Sequence, residues 1–349
     1  MKPYTAAVIG VGKAGGGGKK GGGHAIGYLH GGAFRDNPRT TLAMAADINA
    51  ENLECFRQKF EVPRGFADYR EMLREAKPEI VSICTYVGLH RQMVEDCARA
   101  GVKGIFLEKP IVASPADLVA VDEVVRQTGV KIVVAHIRRY FPAFLRLREL
   151  YQNGTVGQPM LCAAGIQDWD LSEWGSHWLD MFRHFHNDQP VKWVFGQMRV
   201  RQLRGYGHAM EDHGCAYFEF EGGGKGFVDG GRGMAGPWTM TLVGTEGTLR
   251  LQHEHLVVIE TARGRSVEDY AKDQVKCYER AWCQIVSDLI HWIEGGPVPL
   301  VGWPSMRLSA ELNLAAYLSA IKGDRVDLPL SGDDLKLNEW PVEILARRR

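Results

Sequence analysis

No Cys-x-x-Cys pair occurs among the seven scattered cysteines of this 349-residue chain. The odd count and the lack of clustered cysteine and histidine argue against a disulfide framework and against any metal site. Reduced thiols in a cytoplasmic protein are the expectation. A charge excess is missing too, since 42 Lys and Arg balance 42 Asp and Glu. Without a basic surplus there is no general affinity for nucleic acid or anionic membrane. No apolar run approaches the ~20 residues that cross a bilayer. Met1-Lys2-Pro3-Tyr4 leads straight into a strand, which leaves no room for a secretory leader. Internal repeats are absent, and low complexity is confined to one glycine stretch, Gly15 to Gly18 and Gly21 to Gly23. What remains is an ordinary globular composition at a length suited to about two domains.

The first half alternates short apolar runs with helical spans. Strands are expected at residues 5–10, 42–46, 79–85, 104–107 and 130–135. Helices are expected at 24–34, 50–60, 90–100 and 115–128. This is the pattern of a parallel sheet covered on both faces, an α/β Rossmann domain over residues 1–138. Beyond about residue 140, strand-like segments follow one another across Gly-rich turns such as Gly222-Gly223-Gly224. They predict an α+β second domain, residues 139–349, with an open and mostly antiparallel sheet. The apolar face of such a sheet predicts a homodimer or homotetramer.

Gly10-x-Gly12-x-x-Gly15 directly follows the first strand. Glycines keep that turn tight and let backbone N–H groups approach a pyrophosphate at a helix N-terminus. The glycine run exceeds what the motif requires, so the helix opens either near Gly15 or after Gly21 to Gly23, and the third glycine role stays open. Asp47 closes the second strand, where a carboxylate accepts ribose hydroxyls and repels a 2′-phosphate, favouring NAD over NADP. The competing role for Asp47 is a helix N-cap, which Asn49 can fill instead.

Lys109 follows the buried run Gly104-Ile105-Phe106-Leu107 at the strand end where open α/β sheets keep their ligands. A partly desolvated lysine there suits hydrogen bonding to a substrate hydroxyl. Glu108-Lys109-Pro110 after a Rossmann-like first half resembles the Gfo/Idh/MocA oxidoreductases. Val81-Ser82-Ile83-Cys84-Thr85 with His90 resembles a further segment of that family, with Tyr86 where a proline is usual. Arg138-Arg139-Tyr140-Phe141-Pro142 resembles its crossover into the second domain. The resemblance implies a nicotinamide cofactor, a sugar or cyclitol substrate, and a cis peptide before Pro110. It places Gly10, Gly12, Gly15, Asp47, Thr85, His90, Glu108 and Lys109 at the cofactor.

The family's second signature, Asp-x-Gly-x-His, is matched by Glu173-Trp174-Gly175-Ser176-His177, with Glu173 one methylene longer than the usual Asp. The resemblance makes His177 the general base, with Lys109 and Glu173 completing the catalytic set. His184 and His186 are its rivals. Arg139, Asp168, Trp169, Trp174 and Asp180 are the expected substrate contacts, with Tyr140, His208 and Arg232 as further candidates. Indoles suit the C–H faces of a sugar, and carboxylates its hydroxyls. The resulting expectation is an NAD-dependent dehydrogenase of a secondary alcohol. One alternative is a glycoside-cleaving or epimerising enzyme that oxidises its substrate transiently. Another is a non-catalytic dinucleotide-binding regulator.

Overall fold

The computed structural model describes residues 2–13, 26–203, 208–233 and 239–348. Within it the chain forms two compact units. The first comprises Met1–Ala113, Asp117–Ala135 and Glu279–Pro304, and the second comprises Ser114–Ala116, His136–Tyr278 and Ser305–Arg349. The division at residues 135/136 lies close to the expected boundary, but the return of Glu279–Pro304 departs from two contiguous domains. Local contacts explain the return. The Asn37 amide donates to the Ser287 hydroxyl at 2.8 Å, Arg39 pairs with Glu294, and the His30 ring packs edge-on against Trp282 at 4.9 Å.

Six strands build the first unit: β1 (Tyr4–Ile9), β2 (Thr40–Ala46), β3 (Arg64–Phe66), β4 (Ile80–Ile83), β5 (Gly104–Leu107) and β6 (Lys131–Val134). They pair in parallel in the order β3-β2-β1-β4-β5-β6. β4 and β5 are buried at every position, as a sheet covered on both faces requires. The strand order reverses between β1 and β4, so their C-terminal ends flank the crevice where such sheets bind ligands. Gly10 and Cys84 to Tyr86 lie at these ends, and Glu108 to Pro110 at the neighbouring end of β5. Helices Ala50–Phe60 and Pro115–Thr128 have the bounds expected from apolar spacing. β3 and the helix Tyr69–Ala76 were not expected. β3 has only three residues, and one of them is buried.

The second unit adds β7 (Pro159–Gln167), β8 (Val191–Arg199), β9 (His213–Phe220), β10 (Lys225–Gly231), β11 (Thr239–Gly244), β12 (Gly247–Gln252), β13 (Leu256–Thr261), β14 (Gly264–Asp269) and β15 (Val326–Asp327). Their order is β14-β13-β12-β11-β7-β10-β9-β8-β15. Every pairing is antiparallel except β7 with β10, so the sheet is a meander interrupted by one parallel contact. Alternation is clean in β9, where Gly214, Ala216, Phe218 and Phe220 are buried and the residues between them are not. The helices Ser176–Phe185 and Trp303–Lys322 belong to this unit apart from the first two residues of the latter. Among the described residues, no helix is long and apolar enough to cross a membrane, and no group of three or more His, Cys, Asp or Glu is arranged to hold a metal ion.

Candidate active site

In the first unit the glycine turn is shaped for close approach. Gly10 and Gly12 have positive φ, +79° and +69°, a region that glycine enters without steric cost. A Cβ on Gly10 would lie 2.6 Å from the Thr85 methyl and 3.2 Å from the Cys84 carbonyl carbon. Among the described residues Gly27, in the first turn of the helix Ile26–Asp36, has the packing that a third glycine would need. A Cβ there would lie 2.6 Å from the Val11 carbonyl oxygen and 2.8 Å from its Cα. Contact of this kind between helix and strand end is what the last glycine of a dinucleotide fingerprint provides. The expectation for Gly15 falls outside the described residues.

Asp47 projects from the end of β2. One carboxylate oxygen accepts the Gly12 N–H at 3.1 Å and the other accepts the Asn49 N–H at 2.8 Å. Asn49 caps the helix that follows by accepting the Asn52 N–H at 2.9 Å. The cap alternative for Asp47 is therefore filled by Asn49, and the Asp47 carboxylate stays fixed beside the glycine turn. These features fit a dinucleotide: a turn that a Cβ would obstruct, a helix packed onto the strand end, and a held carboxylate at the ribose position.

Lys109 follows β5 and precedes a cis peptide to Pro110. Glu108 beside it is buried. Burial raises its carboxyl, but the hydrogen bond from His30, with the charge and N–H of Lys109, outweighs it and holds Glu108 below the ordinary value. His90 was expected at the cofactor, yet it is fully buried, with Nδ1 3.2 Å from the Ile111 carbonyl and Nε2 3.0 Å from that of Thr85. Desolvation lowers its pKa despite both carbonyls, so the ring stays neutral. A neutral imidazole has a single N–H, so His90 donates to one of these two carbonyls.

In the second unit His177 opens the helix Ser176–Phe185, directly after a single π turn at Leu171–Gly175. Asp170 caps that turn by accepting the Glu173 N–H at 3.2 Å. A Cβ on Gly175 would meet Leu171 and Ile166 side chains at 2.7 and 2.8 Å, so glycine permits the tight entry. The His177 ring is 7% exposed and stands edge-on to His136 at 5.3 Å and to Trp174 at 5.9 Å. Trp169 and Trp174 are half-buried and 6.0 Å apart, which gives His177 an aromatic border. Asp168 is exposed at the bend after β7, in a left-handed conformation, and accepts the Gly233 N–H at 3.1 Å.

Two expected substrate contacts are corrected here. Arg139 is fully buried and clasps the Asp180 carboxylate at 2.8 and 2.7 Å and that of Asp188 at 2.9 and 2.7 Å. Asp180 also accepts the Ser309 hydroxyl at 2.7 Å and lies 3.8 Å from His136 Nδ1. Burial opposes ionisation of Asp180, but Arg139 and then His136 hold its pKa well below the usual carboxylate range. This interior network anchors the helix of His177 through Asp180. Glu173 is buried and faces His208, 3.4 Å from its Nε2. The rival histidines are also interior groups: burial lowers His184 to about 3, with Arg139 and Arg148 adding to the effect, and burial lowers His186 to about 4.

His30, Ser82 and His136 contribute to these surroundings without having been singled out for such roles. Their partners are 40 or more residues away, beyond the reach of spacing arguments. The signal that was available is Gly27 and His30, three residues apart on one helix face.

Comparison with known proteins follows the same division. Residues 5–136 match an oxidoreductase family with an NAD-binding Rossmann fold, and residues 144–250 match a Gfo/Idh/MocA C-terminal domain. The chain is 24% identical to scyllo-inositol 2-dehydrogenase (NAD(+)) of Bacillus subtilis, covering 88% of this chain and 94% of that one. It is 26% identical to D-apiose dehydrogenase of Paraburkholderia graminis, with 86% of each covered. The solved structure of levoglucosan dehydrogenase with NADH superposes with a TM-score of 0.79 at 19% identity, over 95% of this chain and all of the other.

Proposed function

The chain belongs to the Gfo/Idh/MocA family of NAD-binding oxidoreductases, and on that footing we propose that it oxidises a secondary hydroxyl of a sugar, cyclitol or related polyol. The relatives named above act on inositol, apiose and levoglucosan, which is the support for the substrate class. The observation that carries the reading is Lys109, held at the end of β5 beside the switch point of a sheet whose glycine turn fits a dinucleotide.

NAD, when bound, supplies the acceptor for hydride. Gly10, Gly12 and the helix start at Gly27 would hold its pyrophosphate, and Asp47 its adenosine ribose. Ile48, 95% exposed next to Asp47, offers the adenine an apolar surface. The Asp47 carboxylate repels a 2′-phosphate, which favours NAD over NADP. Lys109 donates a hydrogen bond to the reacting oxygen and stabilises its developing negative charge. His177 accepts the hydroxyl proton, and such general base action contributes ~10²–10⁴-fold to rate. Trp169 and Trp174 receive the apolar face of the ring. Asp168, Arg139, Asp180 and Glu173 then divide into one exposed carboxylate near the indoles and three interior groups that fix the π turn and its helix.

The second unit's sheet supports a homo-oligomer. Phe195 pairs with Tyr217, Tyr217 with Phe227, and Phe227 with Ala163, so one apolar row crosses β8, β9, β10 and β7. Phe195 and Phe227 are 45% and 39% exposed, and a second copy of this face is the partner we propose for them.

A parallel screen of sugars and cyclitols with NAD and NADP tests the proposal. Accumulation of NADH absorbance with one compound class, and a weaker response with NADP, is expected. Silence across the panel with confirmed NAD binding would contradict it.

A further inference from the structure

A buried chain of three polar side chains runs beneath Lys109. Ser82 lies within β4, His30 on the helix Ile26–Asp36, and Glu108 at the end of β5. His30 Nδ1 is 2.9 Å from the Ser82 hydroxyl oxygen, and His30 Nε2 is 3.0 Å from one Glu108 carboxylate oxygen. The other Glu108 oxygen accepts the backbone N–H of Lys109 at 3.1 Å. His30 and Ser82 are fully buried and Glu108 nearly so. Phe106 lies 4.2 Å from the His30 ring and Trp282 4.9 Å, so the imidazole is confined by aromatic rings.

The chemistry of the three groups fixes the direction of the bonds. Glu108 is a carboxylate and can only accept, so His30 Nε2 carries the hydrogen. In the neutral imidazole Nδ1 is then the acceptor and takes the Ser82 hydroxyl. The chain reads Ser82 O–H to His30, His30 N–H to Glu108, and Lys109 N–H to Glu108. The other titratable groups facing Glu108 are Cys84 and His90, and burial pushes both toward their neutral forms. Among the described residues, the donors to this carboxylate are His30 and Lys109. A carboxylate out of water is costly unless its lone pairs are satisfied. The residue before Lys109 is nevertheless a carboxylate, after a strand whose four positions are Gly, Ile, Phe and Leu.

We propose that His30 is a positioning residue for Lys109, acting through Glu108. By holding one carboxylate oxygen, His30 directs the other onto the Lys109 amide and fixes the peptide plane from which the Lys109 side chain departs. This rests on the reading that Lys109 handles the substrate proton, but most of its test does not depend on activity.

Two substitutions separate the two ends of the imidazole. The Gln amide reaches the place of Nε2, whereas the Asn amide reaches only the place of Nδ1. In the cofactor-free protein, His30→Gln should leave hydrogen exchange at the Lys109 amide as slow as in the wild type. His30→Asn should speed it at least ~10-fold and lower kcat ~10- to 100-fold, a misplacement effect, with KM for NAD little changed. Loss of the His30 donor also lets burial raise the Glu108 carboxyl. The acid limb of the kcat profile in His30→Asn should therefore move to higher pH, and His30→Gln should restore it. Both variants should lose similar thermal stability, so stability alone does not account for the split. Equal exchange and equal kcat in the two variants would overturn the proposal. A nitrogen NMR spectrum of the wild type offers a check without mutation: Nε2 protonated and Nδ1 accepting is expected, and the opposite tautomer would overturn it even if His30→Asn failed to fold. A Lys109→Ala variant with full activity would instead remove the functional reading and leave the hydrogen-bond chain intact.

Discussion

The side chains around His177 divide by burial into those that can meet a ligand and those that hold the helix. Arg139 and Asp180 fall in the second group because their charges are already matched inside the unit. Removing one partner of such a pair leaves the other charge buried and costs about 3–5 kcal/mol. Arg139→Met is therefore expected to lower the unfolding free energy by that order, measured by denaturant titration, and to depress activity only as far as the helix shifts. The folded pKa of Asp180 is depressed, so its contribution is present above the unfolded carboxylate value and fades as pH falls through the folded one. Lys109, Asp47 and His177 stand out in the sequence because each follows a recognisable strand end or motif, and the roles proposed for them rest on that placement. Arg139 and Asp180 were misread because residue type announces a possible ligand contact while burial is invisible in a linear chain. Glu173 was expected in the catalytic set, whereas it is buried against His208, 35 residues on in the chain.

Elements built from local periodicity were the most legible. Ala50–Phe60, Pro115–Thr128, Gly104–Leu107 and Leu256–Thr261 have the bounds their apolar spacing implies. The start of the first helix was obscured because glycine-rich sequence carries no periodicity. Gly27 then gives an element-scale prediction. Gly27→Ala places a methyl against Val11 backbone, which cannot rotate away, and should destabilise the first unit by about 1–3 kcal/mol. It should also weaken NAD binding, read by calorimetry; unchanged affinity would contradict a cofactor role for Gly27. The helix Ser176–Phe185 carries another. Neither ring nitrogen of His184 has a hydrogen-bond partner among the described residues. Its folded pKa, about 3, lies below the ordinary 6.5. The unfolded chain therefore binds the extra proton first, and stability is full above pH 6.5 and declines as pH falls toward 3. His184→Leu should flatten that decline in melting temperature between neutral and mildly acid buffer. An unchanged slope would assign it to His186 and the carboxylates.

At the scale of the whole molecule, the two fold classes were legible from alternation of element types, but the return of Glu279–Pro304 to the first unit was not. Its contacts with Asn37 and Arg39 span about 250 residues and leave no periodic trace. The aromatic row on the second sheet predicts assembly. Phe195→Glu with Phe227→Glu should shift the mass found by light scattering toward that of one chain while the melting temperature changes little; an unaltered mass would place any oligomer contact elsewhere. The account as a whole stands on proton handling by Lys109 and His177 during NAD-dependent oxidation. Its most direct test is turnover of the best polyol from the screen by wild type, Lys109→Ala and His177→Ala, each first shown to bind NAD. The account predicts NADH formation slowed at least ~10²-fold in both variants with NAD affinity retained. Wild-type rates in either variant would contradict it.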